Sequence, residues 1–220
     1  ALVLDLDLLN PQSENNNLNI ESDGNDPAYI VYTSGSTGNP KGALIRQKSV
    51  IRVVRDAGYI NICPEDVLLQ LSNYSFDGSV FDIFGALLNG ASLVLVNRYE
   101  VTNPKALGKL IHDSNVSVFF ITTALFNALV DANLECLDST RKILFGGEMA
   151  SVHHVRKAYE RLGVGRLIHV YGPTETTVFA TAYSIDTCPK DEGVPIGRAI
   201  GNTTLYVLDE PTTGLHFEDI

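Results

Sequence analysis

The sequence predicts an α/β fold in which a doubly wound, largely parallel sheet carries helices on both faces. Short apolar runs rich in β-branched residues alternate along the chain with longer segments of helical spacing. Such runs are typical of strands that are buried on both faces of a parallel sheet. The 220 residues are 45% apolar and 19% charged, which is the composition of a globular protein with a sizeable core.

The elements follow from this alternation. Strands are predicted over residues 29–32, 67–71, 92–96, 116–121, 142–145 and 167–170, and helices over residues 49–57, 80–88, 104–114, 123–132 and 151–161. Residues 1–9 are predicted to form one more short strand, and the Asn-, Ser- and Asp-rich stretch up to residue 27 is predicted to be a linker. Because ligands bind at the carboxyl ends of the strands in such sheets, functional residues are expected in the loops that follow them.

Charge, cysteine content and hydropathy exclude several classes of function. Sixteen Lys and Arg stand against 26 Asp and Glu, a net charge of −10, which disfavours a nucleic-acid partner. Cys63, Cys136 and Cys188 are widely spaced, which argues against a disulfide scaffold or zinc site. No apolar run approaches the ~20 residues of a membrane span, and the opening residues lack the basic flank of a secretory signal. We therefore expect a cytoplasmic protein, and the missing initial Met indicates a processed chain or a piece of a larger one.

A loop rich in glycine and hydroxyl groups follows the first predicted strand of the main region. It has the sequence TSGSTGNPKG at residues 33–42. Its glycines allow turns that direct backbone N–H groups at a phosphate, its hydroxyls add donors and Lys41 adds positive charge. It differs from the common phosphate-binding loop, because Gly42 stands where that loop has Ser or Thr. The alternative, a flexible loop without a ligand, is disfavoured by the Pro-Lys-Gly ending and by the strand before it, which is predicted to be buried.

A second loop, YGPTETT at residues 171–177, follows the predicted strand at residues 167–170. Its Gly-Pro pair favours a tight turn, and Tyr171 offers a flat ring to a purine. Glu175 offers the oxygen ligands that suit Mg²⁺ beside a phosphate. Alone, the segment is equally consistent with an ordinary loop that has a capping Thr. Together, the two loops predict a nucleotide site.

Four motifs, in this order and spacing, resemble those of the adenylation domains of nonribosomal peptide synthetases, which belong to the acyl-adenylate-forming superfamily with acyl-CoA ligases and luciferases. The motifs are TSGSTGNPKG, YSFDGSVFDIFGALLNGA, FGGE and VYGPTETT. The resemblance covers roughly residues 28–210, which it identifies as the core subdomain of such a domain. It implies that an amino acid carboxylate attacks the α-phosphate of ATP, giving aminoacyl-AMP and pyrophosphate. The aminoacyl group then passes to a phosphopantetheine thiol on a carrier domain.

The resemblance also implies a role for each residue that matches a motif. The triphosphate would be held by Thr33, Ser34, Gly35, Ser36, Thr37, Gly38 and Lys41. The adenine would be framed by Gly147, Glu148, Tyr171 and Gly172. Thr174 would contact the α-phosphate and Glu175 would bind Mg²⁺, so that Lys41, Thr174 and Glu175 are the candidate catalytic residues. The expected cofactors are ATP and Mg²⁺, and the expected partners are the carrier and condensation domains of a synthetase.

For the amino acid, the resemblance places Asp77 against the substrate ammonium, a use that an acyl-CoA ligase would not have for it. A buried carboxylate needs such a cation, although an Asp before a predicted helix is also a common N-cap. The side-chain pocket would be lined by residues that are all apolar or glycine, namely Gly78, Phe81, Phe120, Leu144, Gly146, Val170, Val178 and Phe179. The Phe rings narrow this space and the glycines widen it, so a branched aliphatic side chain fits best. The lining resembles that of isoleucine-activating domains, which predicts isoleucine with Val and Leu next; the alternative for each residue is a place in the core.

The end of the sequence departs from this pattern. Residues 205–220, LYVLDEPTTGLHFEDI, resemble the segment after the Walker B strand in the repair ATPase of the bacterial excinuclease, but the sequence has no Walker A loop. Residues 211–220 are therefore expected to be an unrelated tail without an ATPase role. The family's ribose-binding Asp loop and its C-terminal domain with a catalytic Lys do not follow, so we expect weak or no turnover by this chain alone. A non-catalytic fragment and an acyl-CoA ligase-like enzyme remain as alternatives.

Overall fold

The computed structural model describes residues 20–34, 39–190 and 192–206 of the chain. The predicted strand at residues 1–9, most of the predicted linker and the predicted tail at residues 211–220 lie outside the described residues. The strands of the described part are β1 (Pro27–Ser34), β2 (Pro40–Arg46), β3 (Val67–Gln70), β4 (Ser92–Leu95), β5 (Val118–Thr122), β6 (Lys142–Gly146), β7 (Leu167–Tyr171), β8 (Thr181–Ser184) and β9 (Arg198–Ala199). Its α-helices are α1 (Gln47–Val54), α2 (Gly78–Leu87), α3 (Arg98–Thr102), α4 (Pro104–Asp113), α5 (Thr123–Asn133) and α6 (Val152–Leu162).

The main sheet has seven strands in the spatial order β4-β3-β5-β6-β7-β8-β9. The strands from β4 to β7 in this order are parallel, whereas β8 and β9 are added antiparallel. The predicted, largely parallel sheet is therefore confirmed. The chain runs outward from β3 to β4 and then returns to place β5 on the other side of β3. The strand order thus reverses between β3 and β5, where sheets of this class form a crevice.

Alternate residues of the parallel strands face opposite layers of helices. Phe119 and Phe145 pack in the cluster that contains α4, α5 and α6, whereas their neighbours Phe120 and Leu144 pack in the cluster that contains α1 and α2. Because both faces are buried, each central strand is a continuous apolar run in the sequence. The prediction of helices on both faces is also confirmed.

Local sequence sets the ends of several helices. Asn103 accepts hydrogen bonds from the backbone N–H groups of Lys105 and Ala106 at the start of α4, and Pro104 occupies the first position of that helix, where its missing N–H costs nothing. Gly163, with a φ of 84°, ends α6, because glycine adopts positive φ without strain. Within the described ranges, no helix combines the length and the apolar character needed to cross a membrane.

One predicted strand is wrongly placed, and four elements escape prediction. The strand predicted at residues 29–32 is not a buried member of the parallel sheet. It belongs to β1, which pairs with β2 in a separate antiparallel hairpin, and its side chains alternate between exposed and half-buried. The sequence conceals β2 because the Pro-Lys-Gly at its start is typical of a turn. It also conceals α3, β8 and β9, which have five, four and two residues and are too short to show a period.

Candidate functional site

The loops at the carboxyl ends of the parallel strands carry many of the residues singled out in the sequence. Residues 71–77 follow β3, residues 147–151 follow β6 and residues 172–180 follow β7. These strands are neighbours or near neighbours in the sheet, so their carboxyl ends lie along one edge. The structure therefore places these candidate residues at one edge of the sheet.

Asp77 ends the loop after β3, beside the crevice between β3 and β5, and is half-buried. If it served as a helix cap, its carboxylate would accept a hydrogen bond from the first turn of α2, but its side chain makes no such bond. Among the described residues, no Lys, Arg or His lies within ion-pair distance of it. The carboxylate therefore remains available for an external cation.

The apolar residues predicted to line a pocket meet on the side of the sheet that faces α1 and α2. The centroid of the Phe179 ring lies 5.4 Å from that of Phe81 and 5.2 Å from that of Phe120. The same cluster also includes Leu144, Val170 and Val178. The structure thus brings the predicted lining residues together, and it packs them as part of the core.

The two glycines of the predicted pocket are required by different neighbours: a Cβ would meet side chains at Gly78 and backbone at Gly146. A Cβ at Gly78 would lie 3.1 Å from Cε1 of Phe120 and 2.7 Å from Oγ of Ser72, so glycine permits the close approach of α2 to these two side chains. A Cβ at Gly146 would lie 2.1 Å from the carbonyl oxygen of Val170. Glycine at position 146 therefore permits the close approach of β6 and β7, a constraint of the sheet itself.

Asp82 is a buried carboxylate near the site that the sequence analysis does not single out. It is fully buried on α2, and its Oδ2 accepts hydrogen bonds from the backbone N–H groups of Leu71 (3.1 Å) and Ser72 (2.9 Å). Its Oδ1 is buried without a hydrogen-bond partner. Burial raises the pKa of Asp82 to about 7, although the bonds from Ser72 and Leu71 oppose this shift. Asp82 thus holds the start of the loop that leads to Asp77. In the sequence, the signal for Asp82 is a carboxylate within a helix that is otherwise mostly apolar.

The β1–β2 hairpin brackets the predicted phosphate loop. Thr33 pairs with Lys41 in the hairpin register, and the Thr33 hydroxyl donates to the Lys41 carbonyl at 3.4 Å. Ser34 and Lys41 are exposed, and β2 lies against the 3-10 turn Thr174–Thr176. Four predicted residues of this loop lie outside the described residues: Gly35, Ser36, Thr37 and Gly38. The hairpin and the loop after β7 are therefore adjacent, as a shared nucleotide site requires.

The loop after β7 folds back tightly on itself. A Cβ at Gly172 would lie 2.6 Å from the carbonyl oxygen of Val178, and the N–H of Ala180 donates to the carbonyl of Tyr171 at 2.8 Å. Tyr171 is 50% exposed, so part of its ring is free to contact a ligand. Thr174 is half-buried and Glu175 is exposed, which leaves both available at the surface beside the hairpin.

The loop after β6 carries the other two residues predicted to frame adenine. Gly147 has a φ of +91° with nothing within 4 Å of the place where a Cβ would stand, so its backbone conformation is what requires glycine. Glu148 is exposed. The buried Thr123, at the start of α5, donates its hydroxyl to the carbonyls of Gly146 and Glu148, both at 3.2 Å. Thr123 therefore anchors this loop, and no local pattern in the sequence indicates it.

Arg52 is a further residue that sequence reasoning missed. From α1 it donates hydrogen bonds to the Thr203 hydroxyl and to the carbonyls of Thr176, Thr177 and Phe179. Burial lowers the pKa of Arg52 from its ordinary value, partly opposed by Tyr59. In the sequence Arg52 is one basic residue of an amphipathic helix, and its partners lie 124 to 151 positions away.

The number of carboxylates near the site determines which kind of metal ion it could bind. Within the part of the chain that the structure describes, no group of three or more His, Cys, Asp or Glu side chains is placed to hold a metal ion. Glu175 by contrast is a single exposed carboxylate. One or two carboxylates are enough for Mg²⁺ when substrate phosphates supply other ligands, so this donor set fits a phosphate-bound Mg²⁺ better than a resident metal.

The chain is similar in sequence to known proteins. Residues 3–216 match the model of a protein family described as AMP-binding enzyme. Bacitracin synthase 1 of Bacillus licheniformis is 56% identical over 190 residues, which is 86% of this chain and 4% of that protein. Surfactin synthase subunit 1 of Bacillus subtilis (strain 168) is 47% identical over 194 residues, which is 88% of this chain and 5% of that protein. The chain thus spans only a small part of these relatives.

Solved structures are similar as well. A nonribosomal peptide synthetase protein containing adenylation and PCP domains, bound to a vinylsulfonamide inhibitor, superposes with a TM-score of 0.83 and 34% identity over 94% of this chain and 36% of that one. An N-terminal subdomain from Klebsiella oxytoca in complex with anthranilyl-AMSN superposes with a TM-score of 0.75 and 26% identity, over 85% of this chain and 49% of that one. The resemblance to synthetase adenylation domains that the four motifs indicate is confirmed.

Proposed function

The chain belongs to the AMP-binding enzyme family, and we propose that it binds ATP and activates isoleucine as part of a nonribosomal peptide synthetase adenylation domain. The observation that carries the proposal is Asp77. Its carboxylate ends the loop that follows β3, makes no cap hydrogen bond, and adjoins α2, which begins at Gly78 and contributes Phe81 to the apolar cluster. An ammonium group beside an aliphatic side chain is the ligand that such a pair of features recognises.

The reaction joins the amino acid carboxylate to the α-phosphorus of ATP. The new bond between a carboxylate oxygen and the phosphorus forms as the bond to the leaving pyrophosphate breaks, and the products are aminoacyl-AMP and pyrophosphate. Catalysis then consists of holding donors where negative charge develops. Lys41 and the hydroxyls of Thr33 and Ser34, with Gly35, Ser36, Thr37 and Gly38, hold the triphosphate, and Thr174 donates to the α-phosphate.

The adenine lies against the loops that follow β6 and β7. Gly147, Glu148, Tyr171 and Gly172 frame it, and the exposed part of the Tyr171 ring gives it a stacking face. Glu175 would hold Mg²⁺, which would supply positive charge against the phosphate oxygens. The tight fold of residues 172–180 supports this role, because it fixes Thr174 and Glu175 relative to Tyr171.

The proposed isoleucine specificity follows from the lining of the pocket. Each of its side chains is apolar, so no group is present to satisfy a polar substrate side chain. The Phe81, Phe120 and Phe179 rings leave limited space, which favours a branched aliphatic side chain over an aromatic one. Since one methylene is worth only ~1–3 kcal/mol in such a pocket, valine and leucine bind too, but more weakly.

The proposed partners act after adenylation. A phosphopantetheine thiol on a carrier domain takes the aminoacyl group and AMP leaves, and a condensation domain of the same synthetase uses the thioester. We also propose that residues 28–210 form the core subdomain of this domain. Residues 211–220 are assigned no role in the reaction.

Calorimetric binding to this chain tests the proposal. The probes are the non-hydrolysable isoleucyl-, valyl- and phenylalanyl-adenylate analogues, with circular dichroism to verify folding. We expect the isoleucyl analogue to bind best, the valyl analogue about tenfold more weakly and the phenylalanyl analogue weakest. A folded chain that binds none of them, or that prefers the phenylalanyl analogue, would show the proposal to be wrong.

A second measurement concerns turnover. We expect isoleucine-dependent exchange of pyrophosphate into ATP by this chain alone to be near background, because it spans only 36% of the similar synthetase protein that contains adenylation and PCP domains. Exchange well above the no-enzyme control would contradict this expectation while supporting the substrate assignment.

A further inference from the structure

Arg52 joins parts of the site that are far apart in the sequence. Its Nη1 donates to the Thr203 hydroxyl at 2.6 Å. Its Nη2 donates to the carbonyls of Thr176 (2.5 Å), Thr177 (3.3 Å) and Phe179 (3.1 Å). Three carbonyls of one short loop thus converge on a single guanidinium nitrogen, which is the strong type of charge-assisted contact.

The segment between these carbonyls is strained. Thr177 has a φ of 65° and Val178 a φ of 61°, and β-branched residues rarely adopt this left-handed conformation. Such positions are energetically unfavourable and persist only where the surroundings hold them. The carbonyls of Thr176 and Phe179 flank the strained pair and the carbonyl of Thr177 lies within it, so Arg52 is placed to hold it.

The residue that follows the strained pair is the central ring of the candidate pocket. Phe179 packs against Phe81 and Phe120 at ring-centroid distances of 5.4 and 5.2 Å, and against Tyr59 at 6.1 Å. Its backbone leaves the left-handed turn directly, with its N–H donating to the Thr177 carbonyl at 2.7 Å. A change in the turn therefore moves the ring that sets the width of the pocket.

We propose that Arg52 is a positioning residue for substrate selection: it holds Thr177 and Val178 in the left-handed turn and thereby fixes the Phe179 ring. The inference rests on the proposed function, because it assigns the selectivity of the same pocket. The guanidinium of Arg52 is engaged by the Thr203 hydroxyl and by carbonyls of this loop. It acts through the backbone of the loop that also carries Thr174 and Glu175.

Arg52→Met tests the proposal, with Arg55→Met as the matched control. Arg55 follows α1 directly, and its guanidinium donates to the carbonyl of Leu88 at 3.0 Å, away from the loop. We expect Arg52→Met to reduce the preference for the isoleucyl over the phenylalanyl adenylate analogue by about tenfold. We expect the Phe179 and Ala180 amides to exchange hydrogen about tenfold faster or more, while β5 and β6 stay protected. Arg55→Met should match the wild type, and Arg52→Lys should lie between.

A double variant separates the turn from general damage. Glycine takes the left-handed conformation without strain, so Arg52→Met combined with Thr177→Gly should regain part of the lost preference. A preference that is unchanged in Arg52→Met overturns the proposal. So does an equal loss for all analogues with faster exchange throughout β5 and β6, since that result means a merely structural role.

The failure of the proposed function is recognisable separately. If the wild type shows no preference for the isoleucyl analogue, the assigned substrate is wrong. Hydrogen exchange then decides the positioning role on its own. Loss of protection confined to residues 174–180 in Arg52→Met supports it, and wild-type protection there overturns it.

Discussion

The side chains on the two faces of the central strands have different surroundings, although neighbouring residues of the same strands supply both faces. On the face covered by α4–α6, Phe145 stacks between Phe126, at 4.7 Å and 11°, and His169, at 5.1 Å and 17°. On the other face, Phe120 meets the Phe179 ring and the start of α2. Because side chains alternate along a strand, one step in sequence changes a residue from a pure core position to a candidate recognition position.

Phe145→Ala tests this comparison with the largest expected effect on stability. The Phe145 ring is fully buried, so its truncation should lower the free energy of unfolding by about 3–5 kcal/mol, measured by urea denaturation. The relative affinities of the isoleucyl and phenylalanyl adenylate analogues should stay as in the wild type at temperatures where the variant is folded. A changed preference would mean that the α4–α6 face also shapes the pocket.

A buried titratable residue on each face should make the free energy of unfolding change with pH in opposite directions. Asp82 lies on α2, on the side of the sheet that carries the proposed pocket, and burial raises its pKa to about 7, so its protonated form is favoured by folding. Its contribution to stability is complete below about pH 4 and is lost as the pH rises to about 7. Asp82→Asn should remove this fall, which amounts to about 3–4 kcal/mol between pH 4 and pH 8.

His169 lies on the other side and serves as the comparison. Burial lowers the pKa of His169, opposed by its hydrogen bond to the Pro195 carbonyl. The folded state therefore favours the neutral ring, and the contribution of His169 is present at neutral pH and lost as the pH falls. His169→Asn should flatten the acid side of the stability profile, while Asp82→Asn flattens the fall toward neutral pH. Equal profiles for the two variants would contradict the assignment.

Asp77→Ala tests the carboxylate that is proposed to bind the substrate ammonium. Removing the carboxylate should weaken binding of the isoleucyl-adenylate analogue by about 100-fold, because the ammonium loses its charge partner. An analogue that lacks the amino group should bind the variant and the wild type alike. Asp113→Ala is the control, since Asp113 is an exposed residue of α4 that pairs with Lys109. Unchanged affinity in Asp77→Ala would remove the main support for an amino acid substrate.

The sequence predicts the parallel strands and the loops at their ends well, because both faces are buried and the apolar runs are therefore continuous. It misplaces the strand before the phosphate loop, since a run such as Tyr29 to Tyr32 is equally apolar in a half-exposed hairpin. It does not reveal Arg52, because hydrogen bonds to carbonyls more than 120 positions away leave no local pattern. Nor does the sequence show why each of the two pocket positions requires glycine, because the answer depends on which neighbouring atoms a Cβ would meet there.

Gly78→Ala is the mildest test, and it probes the boundary between recognition and core on a single helix. The added methyl group crowds the Phe120 ring and the Ser72 hydroxyl, so the isoleucyl analogue should lose about 1 kcal/mol of binding free energy and the smaller valyl analogue less. Gly85→Ala is the matched control on α2. Its Cβ would lie 3.1 Å from Cδ2 of Leu68 and 3.4 Å from Cδ1 of Ile62, which are core contacts. If both variants change the ratio of isoleucyl to valyl affinity equally, or if neither does, Gly78 belongs to the core and not to the pocket. The start of α2 would then have to be assigned to the core as well.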